Sequence, residues 1–350
     1  LVDYQPKIIS APSASAVKKG FQAPDYDSLL QQSNGTVGSA LPYQEHGRSR
    51  PALTGRTGGS MIPHIRRITP FILVTTLIAA GIARAQGQGT ETAQPERFQR
   101  NFNVNPGSTL RVENYKGTIH ITGTPGNQVV VNVFKHFEGS EADRKEWMQN
   151  TRVSVNGESD RVEVKVAYPS QNCWLGCWTH YEAAVELDIQ VPRQTNLKID
   201  GYKPDIKIAS LQGDIRIDSY KAPMSLDSTT GGIHIDTYKD TIKLHNVAVR
   251  GDLHVSSYKA DMMVDATSLD RSAELSSDRG SIVLRVPANI GLDVDYEGSR
   301  RASFHSDFPL NTQSSYSGQS LRGTINKGGT RLRLRTTRGS VSLERISGSL

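Results

Sequence analysis

From Leu197 to Leu284 the chain repeats one short phrase, an apolar–x–apolar pair followed by a turn, ten times. The pairs are Leu197/Ile199, Ile206/Ile208, Ile215/Ile217, Met224/Leu226, Ile233/Ile235, Ile242/Leu244, Leu253/Val255, Met262/Val264, Ala273/Leu275 and Ile282/Leu284. First members follow one another at steps of 9, 9, 9, 9, 9, 11, 9, 11 and 9 residues, the mark of a repeat architecture. Alternation within a pair means a strand with one buried face, and so short a period leaves room only for a strand and a tight turn.

Two pairs and the turn between them make one module. Leu110 to Ile121 has the same layout as Ile215 to Leu226, with a Tyr three residues after the first pair and the second pair four residues after the Tyr. The module turns are Tyr115-Lys116, Tyr202-Lys203, Tyr220-Lys221, Tyr238-Lys239, Tyr258-Lys259, Asp278-Arg279 and Thr337-Arg338, so the second turn position is basic in all seven. A strand–turn–strand unit cannot bury its apolar face alone, so copies must stack. The expected fold is all-β: a stacked short-strand β-solenoid over residues 101–346, in which the five consecutive modules rise by ~4.8 Å each, with flanking capping strands. Polar middles such as Lys198, Arg216, His234 and His254, and Lys207, Ser225 and Lys243 on the other side, are expected to face water.

Asn127–Val133, Arg152–Asn156, Arg161–Val166 and Tyr181–Val191 read as longer strands capping the first coil, and Glu141–Asn150, carrying Trp147 and Met148, as one short helix over the end of the stack. Between Tyr296 and Gly323 the period is lost, which suggests an insertion or edge loop. It returns at Leu332/Leu334 and Val341/Leu343.

Ahead of this region, Met61 opens a stretch with Arg66 and Arg67, an apolar run from Phe71 to Ile82, and Ala83-Arg84-Ala85. That is the pattern of a signal peptide over 61–85, cleaved before Gln86 and followed by a linker over 86–100. The run is well short of the ~20 residues of a spanning helix, and a retained anchor is the competing reading. Residues 1–60, rich in Ser, Gly, Pro and Gln, read as mis-translated upstream sequence or a disordered leader. The chain holds 41 Lys+Arg against 35 Asp+Glu, but the part after residue 85 keeps 32 against 31, so net charge gives no case for a nucleic-acid partner. The expected location is secreted or periplasmic, with no integral span after cleavage. There, Cys173 and Cys177 would meet oxidising conditions and could close a small loop disulfide. Two thiols alone cannot complete a four-ligand zinc site, and no thioredoxin-like context surrounds them.

Stacked coil upon coil, Tyr202, Tyr220, Tyr238 and Tyr258 with Lys203, Lys221, Lys239 and Lys259 would form an aromatic and cationic edge able to contact sugars or anionic polymers. The competing reading is that Tyr packs on Tyr only to shield the turns, with Asp200, Asp218 and Asp236 neutralising the lysines. His234 and His254 occupy matching positions in neighbouring coils and could reach one metal; as surface residues beside Arg216 they need no ligand, and that is the reading preferred here. Asp218 and Asp236 stack without a third group to orient a substrate, so no catalytic residue, cofactor or metal is assigned. Trp174 and Trp178, beside the cysteines, form a candidate contact loop or pack on the cap.

The runs Gly213-Asp-Ile-Arg-Ile, Gly251-Asp-Leu-His-Val and Arg279-Gly-Ser-Ile-Val-Leu, with the closing stretch from Leu321 through Leu332-Arg-Leu-Arg to Arg338-Gly-Ser-Val, resemble the bacterial putative-adhesin domain family. The resemblance covers roughly residues 100–346 and implies an exported or envelope-associated β-solenoid without enzymatic activity. This chain departs from the family in carrying Tyr-Lys where small Ser/Gly turns are usual. The expected function is a non-enzymatic envelope module contacting a surface glycan or envelope protein. A polysaccharide lyase or hydrolase on a β-helix is the alternative, and a sensory ectodomain a third.

Overall fold

The structure, a computed structural model, describes residues 94–169, 181–312 and 320–346. The signal peptide and leader readings, and Cys173, Trp174, Cys177 and Trp178, lie outside the described residues. No helix among the described residues is long and apolar enough to cross a membrane.

The described chain is all-β with one helix. It runs through β1 (Arg97–Asn103), β2 (Thr109–Thr124) and β3 (Gln128–Glu138) into the helix α1 (Glu141–Asn150), then β4 (Arg152–Gly157), β5 (Arg161–Ala167), β6 (Glu182–Pro192) and β7 (Asn196–Ala209). There follow β8 (Ile215–Lys221), β9 (Met224–Asp227), β10 (Thr230–Leu269), β11 (Ser272–Arg279), β12 (Ile282–Val286), β13 (Leu292–Ser306), β14 (Asn311–Thr312), β15 (Ser320–Ile325) and β16 (Thr330–Arg345). All belong to one 16-stranded sheet.

Parallel pairing puts equivalent residues of successive repeats side by side. Leu110 lies beside Leu197, Leu197 beside Ile215 and Ile215 beside Ile233, while Ile119, Ile206, Met224 and Ile242 form the matching row from the second pairs. Each repeat is thus one layer of two strand segments joined at a corner. All twenty side chains of the ten pairs are buried, as period-two alternation requires. The two eleven-residue steps carry their extra length in turns that add core residues of their own, Val247 and Val249 in one and Ala266 and Leu269 in the other.

Layer order departs from chain order at both ends. β2 lies between β7 on one side and β5 and β6 on the other. Likewise β16 lies between β11 and β12 on one side and β13 on the other. The outermost layers are then covered by antiparallel strands, β4 on β5, β3 on β6 and β1 on β3 at one end, β15 on β13 and β14 on β15 at the other. Such covering occupies edges that would otherwise template pairing with another chain.

Of the segment expected as an insertion or edge loop, the part up to Ser306 belongs to a layer, while β14 and β15 beyond it are antiparallel edge strands and residues 313–319 lie outside the described residues. Leu292, Val294 and Tyr296 face Thr330, Leu332 and Leu334, and Phe304 faces Val341. The period is disguised because Tyr296 and Phe304, packed at 4.8 Å, fill core positions that are aliphatic elsewhere.

The helix occupies the expected residues. Ser140 caps it, its hydroxyl accepting from the Asp143 N–H, and Trp147 packs between Phe137 and Tyr168 at centroid distances of 5.8 and 6.4 Å.

Candidate functional site

The corner of each layer breaks the regular ladder, and its backbone groups need partners. Small polar side chains pointing inward meet some of them and also bond to one another. Ser219 donates to the Thr237 hydroxyl at 2.9 Å, Ser257 to the Tyr238 carbonyl at 3.3 Å and Ser277 to the Ala260 carbonyl at 3.0 Å. In the first layer Asn114 takes this place, donating to the Val185 carbonyl at 3.0 Å. With the residue before the Tyr turned inward, alternation turns the Tyr itself outward.

The outward tyrosines form one column. Ring centroids of Tyr115 and Tyr202 are 4.7 Å apart, Tyr202 and Tyr220 4.8 Å, Tyr220 and Tyr238 4.8 Å, and Tyr238 and Tyr258 5.0 Å, with interplanar angles of 2–15°. Tyr168 meets Tyr115 edge-on at 6.2 Å, and the Arg279 guanidinium lies 5.2 Å from the Tyr258 ring at the other end. Every ring face is thus occupied, so a sugar cannot stack on this column as the sequence allowed it to. Ring edges remain. Burial and the neighbouring Tyr202 push the Tyr115 phenol up, so it stays a neutral donor at physiological pH.

Beside the tyrosines runs a column of cations. Lys116 is in register with Lys203, Lys221 with Lys239, Arg279 with Arg338 and Arg338 with Arg301. Tyr stacking carries the register from Lys203 to Lys221 and from Lys239 to Lys259. Arg301 was missed in the sequence because its layer is out of chain order. Burial pulls the Lys116 ammonium below its usual value, Glu182 works against that, and Lys203 adds to it.

The aspartates do not neutralise these lysines, and here the sequence reading is corrected. Asp200 lies 3.5 Å from Arg111 and 3.9 Å from Lys198; Asp218 accepts both arms of the Arg216 fork at 3.0 and 3.1 Å. The reason is position along the strand: each Asp lies two residues from the polar middle of its own pair on the same outward face, while the lysine falls three residues on, past the corner. Asp205, Asp240 and Asp261, further round, are taken up by Lys207, the Thr241 N–H and the Ser281 N–H. Lys203, Lys221, Lys239 and Lys259 make no ion pair with any described residue, while Arg279 has Asp278 at 3.6 Å.

The histidines of neighbouring layers stack at 4.6 Å and 18°, and both address Asp236. His234 Nε2 donates to Asp236 Oδ2 at 2.7 Å, and His254 Nε2 lies 3.7 Å from Oδ1. The neighbouring His254, with His234, holds the Asp236 carboxyl below its usual range against desolvation, and Asp236 in turn raises His254. Asp218 and Asp236 are thus each engaged by basic side chains and form no acid–base pair.

Residues 108–344 match the Toastrack DUF4097 family. No curated protein matches the chain. Among solved structures, a putative cell adhesion protein from Clostridium sporogenes aligns over 71% of this chain and 100% of its own at 10% identity, with a TM-score of 0.32. A putative adhesin from Bacteroides fragilis aligns over 73% and 99% at 10% identity, with a TM-score of 0.29. Likenesses this distant say nothing of what this chain binds.

Proposed function

Because this chain belongs to the Toastrack DUF4097 family, whose match spans its layered region, we propose that residues 101–346 are a β-solenoid acting as a non-enzymatic, adhesin-like module of the cell envelope. It is exported by the signal peptide at 61–85 and holds an acidic surface glycan along the Tyr–Lys edge. One observation carries this reading: a cation recurs in every layer from Lys116 to Arg301, and the nearby aspartates are engaged elsewhere. Layers ~4.8 Å apart present a linear array of positive charge, the complement of a polymer with regularly spaced carboxylates or sulfates. With the tyrosine faces covered, recognition runs through ammonium and guanidinium groups, so charge decides which glycan binds.

The test is retention of the full chain on immobilised acidic and neutral polysaccharides against salt. Saturable retention on the acidic polymers that falls steeply with added salt is the expected result. Equal retention on neutral polymers, or none on any glycan, overturns it.

A further inference from the structure

We propose that His234, Asp236 and His254 bind a divalent transition-metal ion, Zn2+ by the chemistry of the set, and so clamp two adjacent layers together. The site stands apart from glycan binding. His234 lies in register with Arg216 on β8 and His254 with Glu274 on β11, and the two rings stack 4.6 Å apart, so both histidines occupy one column of the sheet. The repeat between them is lengthened to 20 residues, but the surplus is absorbed in the turn around Val247 and Val249. The rings therefore coincide instead of slipping by two residues.

Three features suit a metal. First, the ligand atoms converge: one atom each from His234, Asp236 and His254 lie within 4.8 Å of one another, the one such group among the described residues. A tetrahedral ion with bonds of ~2.0 Å needs its ligands ~3.3 Å apart, which modest side-chain rotation supplies. Second, the two Nε2 atoms face different oxygens of the one carboxylate, at 2.7 and 3.7 Å, so all three groups already point to a common space. Third, Glu274 Oε2 lies 3.6 Å from His254 Nδ1, near enough that a small rotation would let the carboxylate accept the Nδ1 proton and leave Nε2 to the ion.

Arg216 is the opposing charge. Its fork is committed to Asp218 at 3.0 and 3.1 Å, and its approach to Asp236 is only 3.9 Å, so the ion need not displace it from its main partner. Two imidazoles and one carboxylate suit Zn2+, Ni2+ or Cu2+ and not the all-oxygen demands of Ca2+ or Mg2+. The side chains are 33–43% exposed, which leaves the remaining coordination positions to water.

The experiment is calorimetric titration of the full chain with Zn2+ at neutral pH, beside H234Q, H254Q and E274Q, with circular dichroism confirming that each is folded. One ion is expected to bind the parent protein, with affinity at least tenfold weaker in each His variant and weaker in E274Q. Side-chain 15N spectra of the parent protein give an independent reading: Zn2+ should shift Nε2 of two histidines. Affinity unchanged in both His variants, as for an ion held elsewhere in the chain, overturns the proposal. So does the absence of any histidine shift at saturating Zn2+.

Discussion

Tyr202 and Tyr220 lie face to face, with ring centroids 4.8 Å apart and planes 2° from parallel. That separation is the spacing of neighbouring strands, ~4.8 Å, so the rings report the register of the backbone beneath them. The same register sets the lysines that follow at one charge per layer, a repulsive arrangement that an acidic polymer would relieve.

Replacing Tyr220 and Tyr238 with Ser and Lys221 and Lys239 with Gln should abolish retention on acidic glycan. Each lost stack costs about 0.5–1.5 kcal/mol, which a core built from twenty buried aliphatic positions can absorb, so the β-sheet circular dichroism should persist. Retention undiminished in the folded variant would show that these two layers take no part in binding.

Gly231 adopts φ +143°, and a Cβ there would meet the Gly213 carbonyl oxygen at 2.3 Å. Both strain and backbone clash oppose a side chain. We expect Gly231→Ala to cost at least about 2 kcal/mol in urea unfolding. Gly126→Ala, at φ +108° with nothing within 4 Å, carries the strain alone and should cost less. Equal losses would place the whole effect in the dihedral angle.

The Tyr168 hydroxyl accepts from the Val185 N–H at 3.0 Å and lies 2.6 Å from the Lys116 carbonyl and 2.9 Å from Asn114 Oδ1. Tyr168→Phe keeps the ring against Tyr115 and Trp147 but strands these groups. A loss of about 1–3 kcal/mol is expected. A thermal midpoint equal to that of the parent protein would show that water replaces the hydroxyl.

Lys135 is fully buried, its ammonium donating to the Thr151 carbonyl at 2.7 Å. Burial, then Arg152, holds its pKa down at about 8 against an ordinary 10.5. Between those values the folded protein binds fewer protons than the unfolded chain, so stability rises with pH across that window. The rise should be on the order of 3 kcal/mol and should be missing in Lys135→Met. Urea midpoints of the two proteins at pH 7.5 and 10.5 give the comparison; parallel profiles would remove Lys135 as the source.

Much of the site was legible because alternation and period are local. Ile215-Arg-Ile-Asp-Ser-Tyr-Lys already states that Arg216 and Asp218 share one face and that Tyr220 and Lys221 fall at a corner. The partners of the aspartates were less so. Proximity in sequence suggested the lysine three residues on, whereas a strand face admits Asp218 to Arg216 and a layer neighbour admits Asp236 to both His234 and His254.

The sequence by itself determined the strands, the buried rows and the recurrence of Tyr-Lys, since each follows from which residues lie two or eighteen apart. Only the tertiary structure decided the order of the layers. β16 enters between β12 and β13, joining Arg285 to Glu344 across 59 residues and completing the cation column with Arg338 and Arg301. The physical reason is that any layer with the right alternation can pair with any other. The choice among them rests on covering both ends of the stack, an energy that belongs to the whole sheet and to no segment of the chain.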